Sequence, residues 1–122
     1  MKRNLSKIAF AILILVFLGS ACNFKTANAS STIYIRADGS VDPSDAPIQR
    51  NGNIYTLTGN INSDVDGIVI ERNFTVLNGA GFTIQGTDAA FSKGIYLSGI
   101  YNATVNNMKV KGFESGILLD IY

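Results

Sequence analysis

The sequence predicts an all-β chain wound as a stacked solenoid, and three observations predict it. The phrase Asn-x-Thr-Val-x-Asn occurs twice, as Asn73-Phe74-Thr75-Val76-Leu77-Asn78 and, 29 residues later, as Asn102-Ala103-Thr104-Val105-Asn106-Asn107. A second phrase, Gly-Ile-x-(Ile/Leu), runs in step with it from Gly67, Gly94 and Gly116. A period between 20 and 30 residues, built from short apolar runs punctuated by Gly and Asn, is how a stacked-repeat chain reads. No segment after residue 30 carries a 3.6-residue apolar period, so the exported part is expected to hold essentially no helix.

The N-terminus has a separate character. Lys2, Arg3 and Lys7 precede the unbroken apolar run 8–18, which matches the cationic and apolar regions of a secretory signal helix. Such a run falls well short of the about twenty residues a helix needs to cross a bilayer. Ala27-Asn28-Ala29 offers a cleavage site that leaves Ser30 first, and Gly19-Ser20-Ala21 offers another. Cys22 is a candidate lipid attachment site, since Ser20 and Ala21 suit a lipobox, although Gly19 stands where Leu is usual. An uncleaved anchor is the remaining alternative, and soluble release is favoured. On every version the chain is exported, and membrane contact runs only through this segment.

Removing residues 1–29 takes Lys2, Arg3, Lys7 and Lys25 with it, so a net charge of +1 becomes six cations against nine acids, or −3. That balance argues against nucleic acid or an anionic membrane surface as partner. The one cysteine, Cys22, leaves too, so stability must come from burial and backbone pairing rather than disulfides.

In chain order, 32–35 alternates β-branched and aromatic residues and reads as a strand. Residues 42–47 hold two prolines and two aspartates and read as a loop. Asn51-Gly52 is a turn signal ahead of a strand at 54–58. Short strands follow at 67–70, 74–77, 81–85, 94–97, 103–105, 108–110 and 116–121. The expected division is a signal at 1–29, capping strands and loop at 30–61, and about two rungs plus a partial one at 62–122.

Parallel stacking aligns like residues between rungs. Matching the two phrases sets Val76 against Val105 in the core and Thr75 beside Thr104 outside, with Asn78 and Asn107 stacked at a turn. There their amides can bond neighbouring rungs, and Asn tolerates a left-handed bend. Gly67, Gly94 and Gly116 mark another bend. Their spacing falls from 27 to 22 residues, which places an extension at 86–93.

Residues 94–115, with Gly-Ile-Tyr-Leu, Asn-Ala-Thr-Val-Asn-Asn-Met-Lys-Val and Lys-Gly-Phe, resemble one rung of a right-handed parallel β-helix of the pectin-lyase-like superfamily. Residues 55–61 and 66–72 resemble archaeal surface β-helix proteins and the NosD-like periplasmic group. The resemblance covers roughly 31–122 and implies the fold; it implies little about activity, because the fold hosts lyases, hydrolases, binding modules and spikes.

The superfamily's lyases imply calcium held by several carboxylates, with an Arg or Lys base. Asp64 and Asp66 are the weak calcium candidates, too few for an ion that takes six to eight oxygens. Arg72 has nothing local to lower its pKa and so makes a poor base. A hydrolytic pair would have to come from Glu71, Asp88, Glu114 and Asp120. The NosD-like resemblance implies copper, which prefers imidazole and sulfur. The chain has no His, and Met108 is its only methionine after the signal, so no cofactor is expected. Asn73 and Asn102 open N-x-Thr sequons and are candidate N-glycosylation sites. Tyr55, Tyr96, Tyr101 and Phe113 are candidates for a sugar-stacking platform, with Tyr96 outward by alternation.

The last residues, from Gly116, read as a strand without a polar cap. They are expected either to continue into a longer native chain or to self-associate end to end. No catalytic residue is assigned. The expected function is an exported cell-surface or secreted module, structural or binding polysaccharide or a cell-surface glycan. The alternative is the N-terminal fragment of a polysaccharide lyase or glycoside hydrolase whose active site lies on further rungs.

Overall fold

The computed structural model describes residues 31–121; the expected signal helix and Cys22 lie outside them. Among the described residues every regular element is a strand. These are β1 (Ile33–Ile35), β2 (Val41–Asp42), β3 (Ile48–Asn51), β4 (Ile54–Leu57), β5 (Ile61–Asn62) and β6 (Ile68–Ile70). They continue with β7 (Val76–Asn78), β8 (Thr83–Gln85), β9 (Lys93–Ser98), β10 (Thr104–Asn106), β11 (Lys109–Lys111) and β12 (Ser115–Asp120).

The strands form three sheets, ordered β12-β9-β6-β1-β2, β10-β7-β4-β3 and β11-β8-β5. The chain visits the first, second and third sheets in turn, does so three times, and returns to the first with β12. Each pass is called a circuit below. Every pairing between circuits is parallel. The stretch expected to hold about two rungs plus a partial one, 62–122, carries two of these circuits, β6 to β8 and β9 to β11, and then β12. Residues 30–61 contribute a circuit of their own, since β1, β4 and β5 pair in parallel with β6, β7 and β8. The same segment also supplies β2 and β3, which run antiparallel to β1 and β4 and occupy the outer edges of two sheets. A two-residue loop at Gly52-Asn53 joins β3 to β4, with Gly52 at φ 61°.

Parallel register stacks like on like. Ile33, Ile68, Ile95 and Ile117 form one inward ladder of the first sheet, and Ile35, Ile70, Leu97 and Leu119 form the next. The second sheet adds Tyr55, Leu77 and Val105, and the third adds Ile61, Ile84 and Val110. These ladders meet in one core, where most members of the first two circuits are fully buried. Strands this short gain little alone; each is held by its neighbours above and below and by the shared interior.

The register of the second sheet corrects the expected alignment of the repeated phrase. Thr104 pairs with Val76, Val105 with Leu77 and Asn106 with Asn78, a step of 28 residues rather than 29. Val105 thus stacks on Leu77, not Val76, and Leu77 is the fully buried residue. Thr75, expected outside, is fully buried and gives its hydroxyl proton to the Arg72 carbonyl at 2.8 Å. The left-handed backbone of Phe74 (φ 55°) and Asn102 (φ 54°) follows the same step of 28.

Glycines set the corner before the first sheet. A Cβ on Gly67 would run into the carbonyl oxygen of Gly94, and one on Gly94 would lie 2.6 Å from the carbonyl oxygen of Gly116. Only hydrogen fits between circuits there. The shortening from 27 to 22 residues along this column is carried mostly by the 86–93 extension. The step falls from 28 at β7/β10 to 26 at β8/β11, and then to 22 at β9/β12.

Candidate functional site

The outer face of the first sheet gathers aromatic and charged side chains. By alternation along β1, β6, β9 and β12, Tyr34, Val69, Tyr96 and Leu118 form one outward ladder. Neighbouring strands lie about 4.8 Å apart, so Tyr34 and Tyr96, two steps removed, are about 10 Å apart. Val69 between them is almost completely covered.

Charged groups line this ladder. The Arg36 guanidinium sits 4.0 Å from the Tyr34 ring centroid. It donates to Asp42 Oδ2 at 2.7 Å and to Glu71 Oε1 at 3.2 Å. The hydrogen bond to Asp42, helped by the charge of Glu71, holds Arg36 above its ordinary pKa. Tyr96 donates its hydroxyl proton to Asp120 Oδ2 at 3.0 Å, and Lys93 Nζ lies 5.3 Å from the Tyr96 centroid. Stacking surface and directional hydrogen-bonding groups therefore share one face, the pairing that binds a ring with polar edges.

The other aromatics separate. Tyr55, offered as an exposed platform, is fully buried. Its hydroxyl donates to the Gly39 carbonyl at 2.7 Å and accepts from Arg72 Nη1 at 3.0 Å, which ties the β1–β2 turn to the core. Arg72 is therefore a structural donor. Phe113 packs against the core. Tyr101 is exposed and meets Phe74 edge to face, 5.2 Å between centroids, at the corner between the first and second sheets. Tyr34 escaped the sequence reading because an isolated Tyr in the first strand has no repeat partner of its own type.

The candidate calcium acids are in a turn with work of its own. Asp66 Oδ1 accepts the backbone N–H of Lys93 at 2.8 Å, and the Asp66 carbonyl accepts the Ser63 hydroxyl at 2.7 Å. Asp64 is exposed. Among the described residues no three of His, Cys, Asp and Glu gather in a way that could hold a metal ion. The acids considered as a hydrolytic pair are dispersed to different partners. Glu71 goes to Arg36, Asp120 to Tyr96, and Glu114 accepts the backbone N–H of Phe91. Asp88 stands exposed on the 86–93 extension. Met108 packs against the core.

Turn amides join the circuits. Asn107 Nδ2 donates to Asn78 Oδ1 at 3.3 Å, and Asn107 is left-handed at φ 57°. Asn60 Oδ1 accepts from Thr83 N, and Asn73 Oδ1 accepts from Tyr101 N. The two sequons consequently differ. Asn73 is half-buried and engaged, with its Thr75 in the core, whereas Asn102 and Thr104 are both exposed. Among the described residues no helix is long and apolar enough to cross a membrane. Searches against family models, curated proteins and solved structures find no match for this chain.

Proposed function

We propose that the chain is an exported right-handed parallel β-helix of the pectin-lyase-like superfamily that binds polysaccharide without cleaving it. The cyclic visit to three sheets, with parallel pairing between circuits, supports the fold reading. The observation that carries the functional reading is the outward ladder of Tyr34, Val69, Tyr96 and Leu118, edged by Arg36, Lys93, Glu71 and Asp120. Two Tyr rings about 10 Å apart along the stack suit an extended glycan laid across the strands, with its hydroxyls meeting the charged rim. Secretion through the N-terminal segment would bring that face to cell-wall or extracellular glycans.

Affinity electrophoresis of the full chain through gels cast with neutral and with acidic polysaccharides tests this. Retardation by at least one polysaccharide, with no unsaturated sugar ends released in calcium-containing buffer, is the expected result. Migration unchanged in every gel would refute binding, and release of unsaturated ends would make the chain a lyase instead.

A further inference from the structure

We propose that the outer face of the first sheet selects uncharged polysaccharide and turns away polymers that carry carboxylates, an inference that rests on the polysaccharide reading above. Arg36, Glu71 and Ser98 stand two residues after Tyr34, Val69 and Tyr96, and so form a second outward row beside the first. Asp42 joins them from β2, where it pairs directly with Tyr34, and Asp120 pairs with Ser98. With Lys93 beside the Tyr96 ring, the face sets two cations, Arg36 and Lys93, against three carboxylates, Asp42, Glu71 and Asp120.

The cations are already engaged by the chain's own groups. A guanidinium reads a carboxylate by presenting two parallel N–H donors to its two oxygens. In Arg36 those donors go separate ways, Nη1 to Glu71 Oε1 at 3.2 Å and Nη2 to Asp42 Oδ2 at 2.7 Å. One positive charge thus lies between two negative ones, over the Tyr34 ring. Lys93 Nζ donates to the Phe91 carbonyl at 3.2 Å. The other two arginines among the described residues are tied elsewhere, Arg50 to the Gly52 carbonyl and Arg72 to the Tyr55 hydroxyl. Lys109 and Lys111 belong to the third sheet, on either side of core-packed Val110. A carboxylated sugar laid along Tyr34 and Tyr96 would therefore meet more negative charge than positive, and like charges repel. Sugar hydroxyls meet the opposite case. A carboxylate offers about four acceptor positions, so Asp42 and Glu71 can each take a hydroxyl donor while still holding Arg36.

Affinity electrophoresis of the full chain through gels cast with matched polymers, in buffer free of divalent cations, tests the selection. The pairs are hydroxyethylcellulose with carboxymethylcellulose, xylan with glucuronoxylan, and methyl-esterified with de-esterified polygalacturonate. A chain carrying Lys109→Ala and Lys111→Ala runs alongside, which removes any hold the third sheet has on an acidic polymer. In that chain a neutral member should bind at least about tenfold more tightly than its carboxylated partner. Asp42→Asn with Glu71→Gln keeps the side-chain shapes, leaves the Arg36 charge uncompensated and turns the face net positive. Added to the same chain, this pair should cut the preference at least about fivefold. A carboxylated member bound as well as its neutral partner, or a preference that the Asp42→Asn/Glu71→Gln pair leaves unchanged, would overturn the proposal while polysaccharide binding stood. Migration unchanged in every gel would instead refute the binding reading, and this inference with it.

Discussion

The carboxylate of Asp66 accepts the backbone N–H of Lys93 at 2.8 Å, one circuit further along the stack. An acid that looks from its neighbours like half of a calcium loop is thereby a bond between circuits. The same device recurs where Asn60 holds Thr83 and Asn73 holds Tyr101. Side-chain oxygens in the corners satisfy donors that the flat ladders cannot reach.

Asp66→Ala should therefore destabilise the fold by about 2 kcal/mol, the scale of a hydrogen bond to a charged acceptor. Asp66→Asn, which keeps an acceptor oxygen, should recover most of that. Thermal unfolding in calcium and in chelator gives the check: the wild-type midpoint is expected to be the same in both. A calcium-dependent midpoint lost in Asp66→Asn would restore the metal reading.

Gly94 and Gly116 occupy successive places in one column yet should respond differently to alanine. A Cβ on Gly94 would meet Val110 Cγ1 and the Gly116 carbonyl, whereas one on Gly116 meets nothing within 4 Å. Gly94→Ala should cost about 3 kcal/mol by overpacking, and Gly116→Ala no more than about 0.5 kcal/mol. Urea midpoints at constant slope would measure both.

Much of this was legible in the residues. The strands from β6 onward fall within about two residues of where the apolar runs place them, because Gly and Asn punctuate the corners, whereas β5 at Ile61–Asn62 is not read as a strand. The glycine column and the 86–93 extension follow from spacing alone. The phase of the second sheet did not. Two copies of Asn-x-Thr-Val-x-Asn invite alignment by identity at 29, but the first sheet pairs Ile70 with Leu97 at a step of 27, and the corner from Leu97 to Thr104 is only one residue longer than the one from Ile70 to Val76. Backbone pairing, not letter matching, sets the register. The face of Tyr34 and Tyr96 was half visible: alternation shows that Tyr96 points out, but only the ladder shows that Tyr34 stands two strands away. The burial of Tyr55 was hidden because its hydroxyl finds partners in Gly39 and Arg72, one from before its strand and one from after.

Asp38 carries a pH dependence. Its carboxylate accepts the Ser40 hydroxyl at 2.7 Å and the Ser40 N–H at 2.9 Å, and these bonds hold its pKa below the ordinary value. A carboxylate depressed on folding adds stability above its unfolded pKa and loses it as pH falls through the folded one. Wild type should thus shed this contribution from about pH 4 downward, and Asp38→Asn should show a flatter melting-temperature profile over that range. Identical profiles would remove Asp38 from the acid response.

The outward ladder of Tyr34 and Tyr96 and the buried core both depend on which residues stack on which, and the second sheet is where pairing and letter matching disagree. The most direct measurement is disulfide formation in the Cys22→Ser background with Val76→Cys paired to Thr104→Cys or to Val105→Cys. Parallel neighbours in register lie within disulfide range. With Thr104 opposite Val76, the first pair should cross-link within one chain and the second should stay reduced. Cross-linking of Val76→Cys to Val105→Cys instead would contradict the register and return the chain to a 29-residue step.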